Sequence, residues 1–265
     1  FGGVVVVTSA GNSAEEGKQS TVQSSPANDP FVITTGALDL HNSTSTDRAS
    51  VAPWSTWGYT FDGFAKPELS APGRKLVAPI PASSTLAQER PAQVLQTSDG
   101  AYMELSGTSL SAPIVSGIAA DLLTLRPNLT PDQVKGALMV AARPVRHAAG
   151  WSAGVGEVYA PAALAVVSPP NPNLALDAFV DESPGGPAFD DATWLEAAKA
   201  STAWDQVSWL DGWSNVSWSL VSWSDVSWSD VSWSDVSWSD VSWSDVSWTD
   251  VSWADSVYGD VPEQP

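Results

Sequence analysis

The chain has no cysteine. That excludes a disulfide framework, a thiol nucleophile and thiolate metal sites. Histidine is nearly absent too: His41 and His147 are the only two, so any imidazole base must be one of them or lie outside the chain. Basic residues are scarce, 11 against 30 acidic ones, for a net charge of −19. A balance this acidic argues against nucleic-acid and anionic-membrane partners, which are bound through Lys and Arg. No apolar run approaches the roughly 20 residues of a membrane-spanning helix. No signal peptide is visible. The chain opens on Phe1 directly before a buried-type strand at residues 4–7, which reads as a fragment or processed product.

The charge is unevenly spread. Residues 1–167 hold 13 acidic and 10 basic side chains, whereas residues 168–265 hold 17 acidic side chains and Lys199 alone. The first part has an ordinary globular composition, long enough for a substantial core. The second is an acidic tail. The expected organisation is a domain over 1–167, a Pro/Gly-rich linker over 168–190, and a Trp-rich tail over 191–265.

Along the domain, apolar β-branched runs alternate with helical patterns, which points to an α/β fold. The run Val4-Val-Val-Val7 suits a central parallel strand covered on both faces, ending in Thr-Ser-Ala-Gly-Asn12. In open α/β sheets, sites form beyond the carboxyl ends of strands, which is where Asn12 falls; a plain turn asparagine after glycine is the alternative. Phe31-Val-Ile-Thr-Thr-Gly-Ala-Leu38 reads as a second strand, residues 75–78 as a third, and residues 79–100 as a long irregular connection. Thr130-Pro-Asp-Gln133 predicts a helix with Thr130 as N-cap, Pro131 at the first position and a capping box closed by Gln133. That helix, residues 133–142, places Val134, Ala137, Leu138 and Ala141 on one face.

The stretch Glu104-Leu-Ser-Gly-Thr-Ser-Leu-Ser-Ala-Pro-Ile-Val-Ser-Gly117 stands apart from these. A tight turn at Gly107 and Thr108 runs into an apolar pattern at helical spacing, so a buried helix should begin near Ser109, with Pro113 in its first turn. A serine there is either an N-cap or a nucleophile, because helix N-terminal N–H groups face whatever binds beside them.

Four ordered segments decide between these readings: Thr8-Ser-Ala-Gly-Asn12, Pro26-Ala…Val32-Ile-Thr, Lys66-Pro-Glu-Leu-Ser-Ala-Pro-Gly73 and Gly107-Thr-Ser-Leu-Ser-Ala-Pro-Ile-Val-Ser-Gly117. Together with a closing Gly154-Val-Gly-Glu-Val-Tyr-Ala pattern, they resemble the C-terminal part of the catalytic domain of subtilisin-like serine peptidases, the subtilases. The nucleophile signature departs from the family's at Leu110, Ser111, Ile114 and Ser116. The resemblance implies a three-layer α/β fold with a mostly parallel sheet, incomplete at the N-terminus. It implies serine endopeptidase chemistry, with Ser109 as nucleophile and Asn12 as oxyanion donor. Backbone at Ser9, Ala10, Gly11, Leu105, Ser106, Gly107 and Thr108 would border the substrate. Ser24 and Ser25 would stand near the pocket for the residue preceding the scissile bond, or be solvated loop serines. It allows calcium without identifying a site, and places the protein outside the cell or on its surface, in bacterial style.

The family's catalytic aspartate and histidine precede the Gly-Asn strand in chain order, and neither segment is present. His41 lies in a polar loop and His147 follows an arginine-bearing helix end, so both are expected to be structural. The chain by itself is then expected to be inactive, with an aggregation-prone edge at residues 4–7. The competing reading is an inactive surface or binding protein with a peptidase-derived domain.

The tail repeats Val-Ser-Trp-Ser-Asp, with Trp223, Trp228, Trp233, Trp238, Trp243, Trp248 and Trp253 at strict spacing. Five residues advance a helix by about 500°, which scatters the Trp around it. An odd period also flips successive Trp across a strand. Three readings stay open: disordered acidic low complexity, a β-solenoid, or a stalk that docks to cell wall, glycan or another protein.

Overall fold

The computed structural model describes residues 3–15, 17–60, 63–181, 188–190, 192–194 and 196. The repeat tail and its alternative readings lie outside the described residues.

The central sheet is built on the strand Ile33–Asp39 (β3), all seven of whose residues are buried. Val7–Ser9 (β1) and Leu69–Pro72 (β7) pair with β3 in parallel, and Ser50–Val51 (β4) pairs with it antiparallel. Between β1 and β3 lies the short strand Ser20–Thr21 (β2), which joins a second sheet with Gly58–Tyr59 (β5) and Ala65–Lys66 (β6). A third sheet places the strand Gly100–Leu105 (β10) between Leu76–Pro79 (β8) and Val94–Thr97 (β9), all antiparallel. The parallel character expected from the sequence therefore belongs to the central sheet, not to all the strands.

The long helix Thr108–Leu125 (α2) lies on the central sheet, touching β1, β3 and β7. Only one stripe of it is buried: Thr108, Ser111, Val115, Ala119 and Leu122. It is long and apolar enough to cross a membrane by length and composition, but its packing on three strands makes it a core helix of this fold. Pro113 sits one turn inside the helix rather than in its first turn, so the Ser109 carbonyl lacks the usual N–H donor four residues on.

The helix Pro131–Val140 (α3) carries the expected cap in full. Thr130 Oγ1 accepts from the Gln133 N–H at 3.2 Å, and Gln133 Oε1 accepts from the Thr130 N–H at 3.0 Å. Val134, Ala137 and Leu138 are buried as expected, whereas Ala141 is the C-cap and half-buried. The helix Ala160–Ala165 (α4) packs against both α2 and α3.

Two further expectations need correction. Residues 4–7 do not form a central covered strand. β1 begins at Val7, no strand among the described residues pairs with its edge away from β3, and Val4 and Val6 are 69% and 41% exposed. A β-branched run states what a strand would bury, but tertiary neighbours decide whether it does. Residues 79–100 are not irregular: they hold the short helix Thr85–Glu89 (α1) and the β9–β10 hairpin. β9 is mostly exposed, so it shows no apolar alternation to read. Past residue 167 the chain keeps packing on the domain. Asn173 donates to Asp132 at the head of α3, Leu176 and Trp194 are fully buried, and Trp194 stacks on Phe64 at 4.7 Å. Val180–Asp181 (β11) pairs with Ala188–Phe189 (β12), and the Phe189 ring meets Phe31 edge-on at 5.8 Å.

Candidate active site

Ser109 is the second residue of α2 and half-buried. At this position the N–H groups have no acceptor inside the helix. The helix start is fixed from below by the Ser70-Ala-Pro-Gly73 end of β7. The Ser111 hydroxyl lies 3.1 Å from both the Ala71 and Pro72 carbonyls, and the Gly107 N–H donates to the Gly73 carbonyl at 2.8 Å. A side chain at Gly73 would meet Ser111 Oγ at 2.3 Å and Ala37 Cβ at 2.6 Å. The end of the distinctive segment, Ala71-Pro-Gly73, is therefore the floor on which the turn before Ser109 rests.

The loop after β1 reaches the same turn from the side. Asn12 Oδ1 accepts from the Thr108 N–H and from the Thr108 hydroxyl, both at 2.9 Å. The Gly11 N–H in turn donates to Thr108 Oγ1 at 3.2 Å. Gly11 holds φ at +101°, a conformation that favours glycine, and a side chain there would meet Thr56 Oγ1 at 3.1 Å. Thr56 holds the far side of the loop: its N–H donates to the Gly11 carbonyl at 3.0 Å, and its Oγ1 accepts from the Ser13 N–H at 2.9 Å.

These bonds fix which way the Asn12 amide faces. A backbone N–H only donates, so the atom beside the Thr108 N–H is the oxygen. The Asn12 Nδ2 must face away from Thr108, and it has no hydrogen-bond acceptor among the described residues. The result is a serine at a helix head whose own N–H is unspent among the described residues, next to Thr108, which holds a side-chain amide with its donor end free.

The remaining sequence candidates divide by position. Ser9 lines an open cavity of about 490 Å³ together with Ser109, Val7, Thr8, Pro113 and Ser116. Ala10 is buried, and its N–H donates to Thr35. Leu105 ends β10, and Ser106 Oγ accepts from the Lys75 N–H at 3.0 Å just before the turn. Ser24 and Ser25 are exposed on the loop before β3 and are not among the residues lining the Ser109 cavity. His41 and His147 line a different cavity. Thr56 and Ser111 were not singled out from the sequence. The signal for Ser111 is its place two residues after Ser109 at the helix start.

A second polar cluster lies under the sheet. Glu68 Oε1 pairs with Lys66 Nζ at 2.6 Å and with Lys135 Nζ at 2.8 Å, while Oε2 accepts from the Thr34 N–H at 2.8 Å. Lys66 also donates to the Asp29 carbonyl, and Lys135 to the carbonyls of Pro30 and Val32. All three side chains are buried. Burial alone would push the Glu68 carboxyl up, but the two ammonium groups outweigh it and hold it below the usual range. Burial likewise lowers Lys135 to about 8, only partly opposed by Glu68.

An α/β domain with a serine at the head of its core helix, braced by a glycine–asparagine loop, matches the Subtilase family model over residues 2–163. The chain belongs to the subtilase family. Among curated relatives it is similar to the serine protease AprX of Bacillus subtilis (strain 168), at 39% identity over 133 residues, half of this chain and 29% of AprX. It is also similar to fervidolysin of Fervidobacterium pennivorans, at 34% identity over 134 residues, half of this chain and 17% of fervidolysin. The fervidolysin crystal structure aligns at 30% identity over 63% of this chain and 23% of its own, with a TM-score of 0.48. The chain thus spans under a third of either relative.

Proposed function

We propose that this domain is the nucleophile-bearing part of a serine endopeptidase. The Ser109 hydroxyl oxygen attacks a peptide carbonyl carbon, the carbon–nitrogen bond breaks, and the serine proton passes through a base to the leaving amine. Water then cleaves the acyl-enzyme and restores Ser109. The Asn12 Nδ2 and the Ser109 N–H donate to the oxyanion that develops in both steps. Backbone at residues 9–11 and 105–108 borders the polypeptide substrate. The observation that supports this most is the Asn12 amide, held by Thr108 with its donor end unspent beside the helix head.

The base and its orienting carboxylate come from polypeptide outside these 265 residues, because neither His41 nor His147 lines the Ser109 cavity. Residues 1–265 alone are then inactive, and the complete domain is three-layered. The same observation favours the competing reading, a peptidase-derived binding protein that works through its Trp-rich tail. Calcium is allowed by the family, and no group of three or more His, Cys, Asp or Glu is gathered among the described residues. The protein acts outside the cell, as secreted and surface subtilases do, and its tail docks it to a wall, glycan or protein.

A fluorophosphonate probe applied to the protein isolated from its source cells tests the reading. Covalent label on Ser109 supports the peptidase; intact protein with an unlabelled Ser109 supports the binder.

A further inference from the structure

The two histidines of the chain meet at one cavity of about 350 Å³, lined by His41, Asp47, Arg48, Ser50, Arg146 and His147. It shares no lining residue with the Ser109 cavity. Its walls come from two loops, the one entering β4 and the one following α3, so the fold rather than one local motif creates it.

The charges are unbalanced. Arg48, Arg146 and His147 make no hydrogen bond or ion pair among the described residues. Of the carboxylates nearby, Asp39 is paired with Arg74 at 2.7 Å, and Asp47 Oδ2 accepts from Ser45 at 2.9 Å. Glu157, which feels Asp47, bonds Thr46, and burial raises its carboxyl above the usual range. The lining therefore holds two unpaired guanidinium groups against one carboxylate. That composition repels metal cations and attracts anions.

One wall is also held in position. His41 Nε2 lies 3.0 Å from Ser50 Oγ, its Nδ1 lies 3.4 Å from Asp39 Oδ2, and its N–H donates to Asp39 Oδ1 at 2.8 Å. His41 and His147 both adopt left-handed backbone, at φ of +53° and +62°. Asn42 and Lys75, which do not line the cavity, share that conformation.

We propose that this cavity is an oxyanion-binding site, taking a carboxylate or phosphate group between Arg48 and Arg146, with His41 and His147 at its rim. Guanidinium groups bind both oxyanions through paired N–H donors. The volume holds the anionic group and the adjoining part of the molecule that bears it. The site is independent of catalysis at Ser109.

The test is an NMR titration of the two imidazole signals in the full chain. The probes are inorganic phosphate, a short peptide with a free C-terminal carboxylate, and the same peptide as its C-terminal amide. Both signals should move saturably with phosphate, with the free-carboxylate peptide, or with both, and not with the amide; which of the two anions binds identifies the source. Arg48→Gln and Arg146→Gln should each weaken binding tenfold or more. In the parent protein, the bound anion should shield Arg48 and Arg146, but not the remote Arg90, from phenylglyoxal. Absence of saturable shifts with either anion, equal binding of the amide, or unaltered affinity in both arginine variants would overturn the proposal.

Discussion

At Glu68 both carboxylate oxygens are spent on Lys66, Lys135 and the Thr34 N–H, and both lysines are shared with backbone carbonyls. At Asn12 the amide oxygen is spent on Thr108 and the amide nitrogen is not. The first cluster is buried and closed; the second is half-buried and open on one side. A closed polar cluster has nothing left to offer a substrate, so its work is to join β6, β3 and α3. An open one presents donors that no protein group uses, at the head of a helix whose N–H groups add to them. The difference separates scaffold from chemistry without reference to residue type, since both clusters are charged or strongly polar.

This contrast breaks if substitutions in the two places have similar effects. The largest expected effect is at Ser109. On the proposed function, Ser109→Ala in the full-length protein should lower turnover by about 10⁶, the scale known for the nucleophile of this same family rather than one obtained from this chain. The melting temperature should stay unchanged. Peptide hydrolysis and thermal denaturation of the same sample check both halves.

Glu68→Ala should do the reverse. It leaves two buried ammonium groups uncompensated, which typically costs about 3–5 kcal/mol of stability. Turnover per folded molecule should be retained. Denaturant unfolding together with active-site titration separates the two quantities.

Asn12→Ala comes next, with turnover reduced by about 10²–10³, again the magnitude established for the oxyanion asparagine of this family. KM should change little, because the proposed role has the amide donate to charge present only in the transition state. A loss confined to KM would move Asn12 from the oxyanion to ground-state binding.

The pH dependence of stability sharpens the closed side of the comparison. Glu68 is held below its unfolded value, so its contribution is full above the ordinary carboxylate range and lost as pH falls through it. Lys135 is lowered to about 8 while the unfolded lysine titrates near 10.5, so the folded state binds fewer protons between those values. Its own contribution to stability therefore rises with pH across that window. Unfolding curves for the parent and Lys135→Met between about pH 2 and 11 should differ in slope in both regions.

The smallest expected effect is at the cap of α3. Thr130→Ala removes one half of a capping box on an exposed turn and should cost about 1 kcal/mol, with no change in activity.

Much of this contrast was legible in the sequence, for local reasons. The cap of α3 is a four-residue pattern with one physical meaning, and the start of α2 is marked by Gly107 and the apolar spacing after it. The Asn12 loop was legible through the glycine and asparagine that end a strand. What the sequence did not disclose depends on distant neighbours. Lys135 sits beside Val134 on α3, and nothing local pairs it with Glu68; only the fold does. Residues 4–7 read as a covered strand, because a β-branched run carries no record of whether a second neighbour exists. The meeting of His41 with His147 was equally hidden, since nothing local links the two loops.

The account rests on Ser109 being an activated nucleophile, and one measurement addresses that directly. Protein from the source cells is treated with a fluorophosphonate, digested and sequenced by mass spectrometry, with Asn12→Ala protein treated in parallel. The account predicts label on Ser109, formed more slowly in the Asn12 variant. Folded protein that leaves Ser109 unlabelled, or that labels at the same rate without the Asn12 amide, would contradict it.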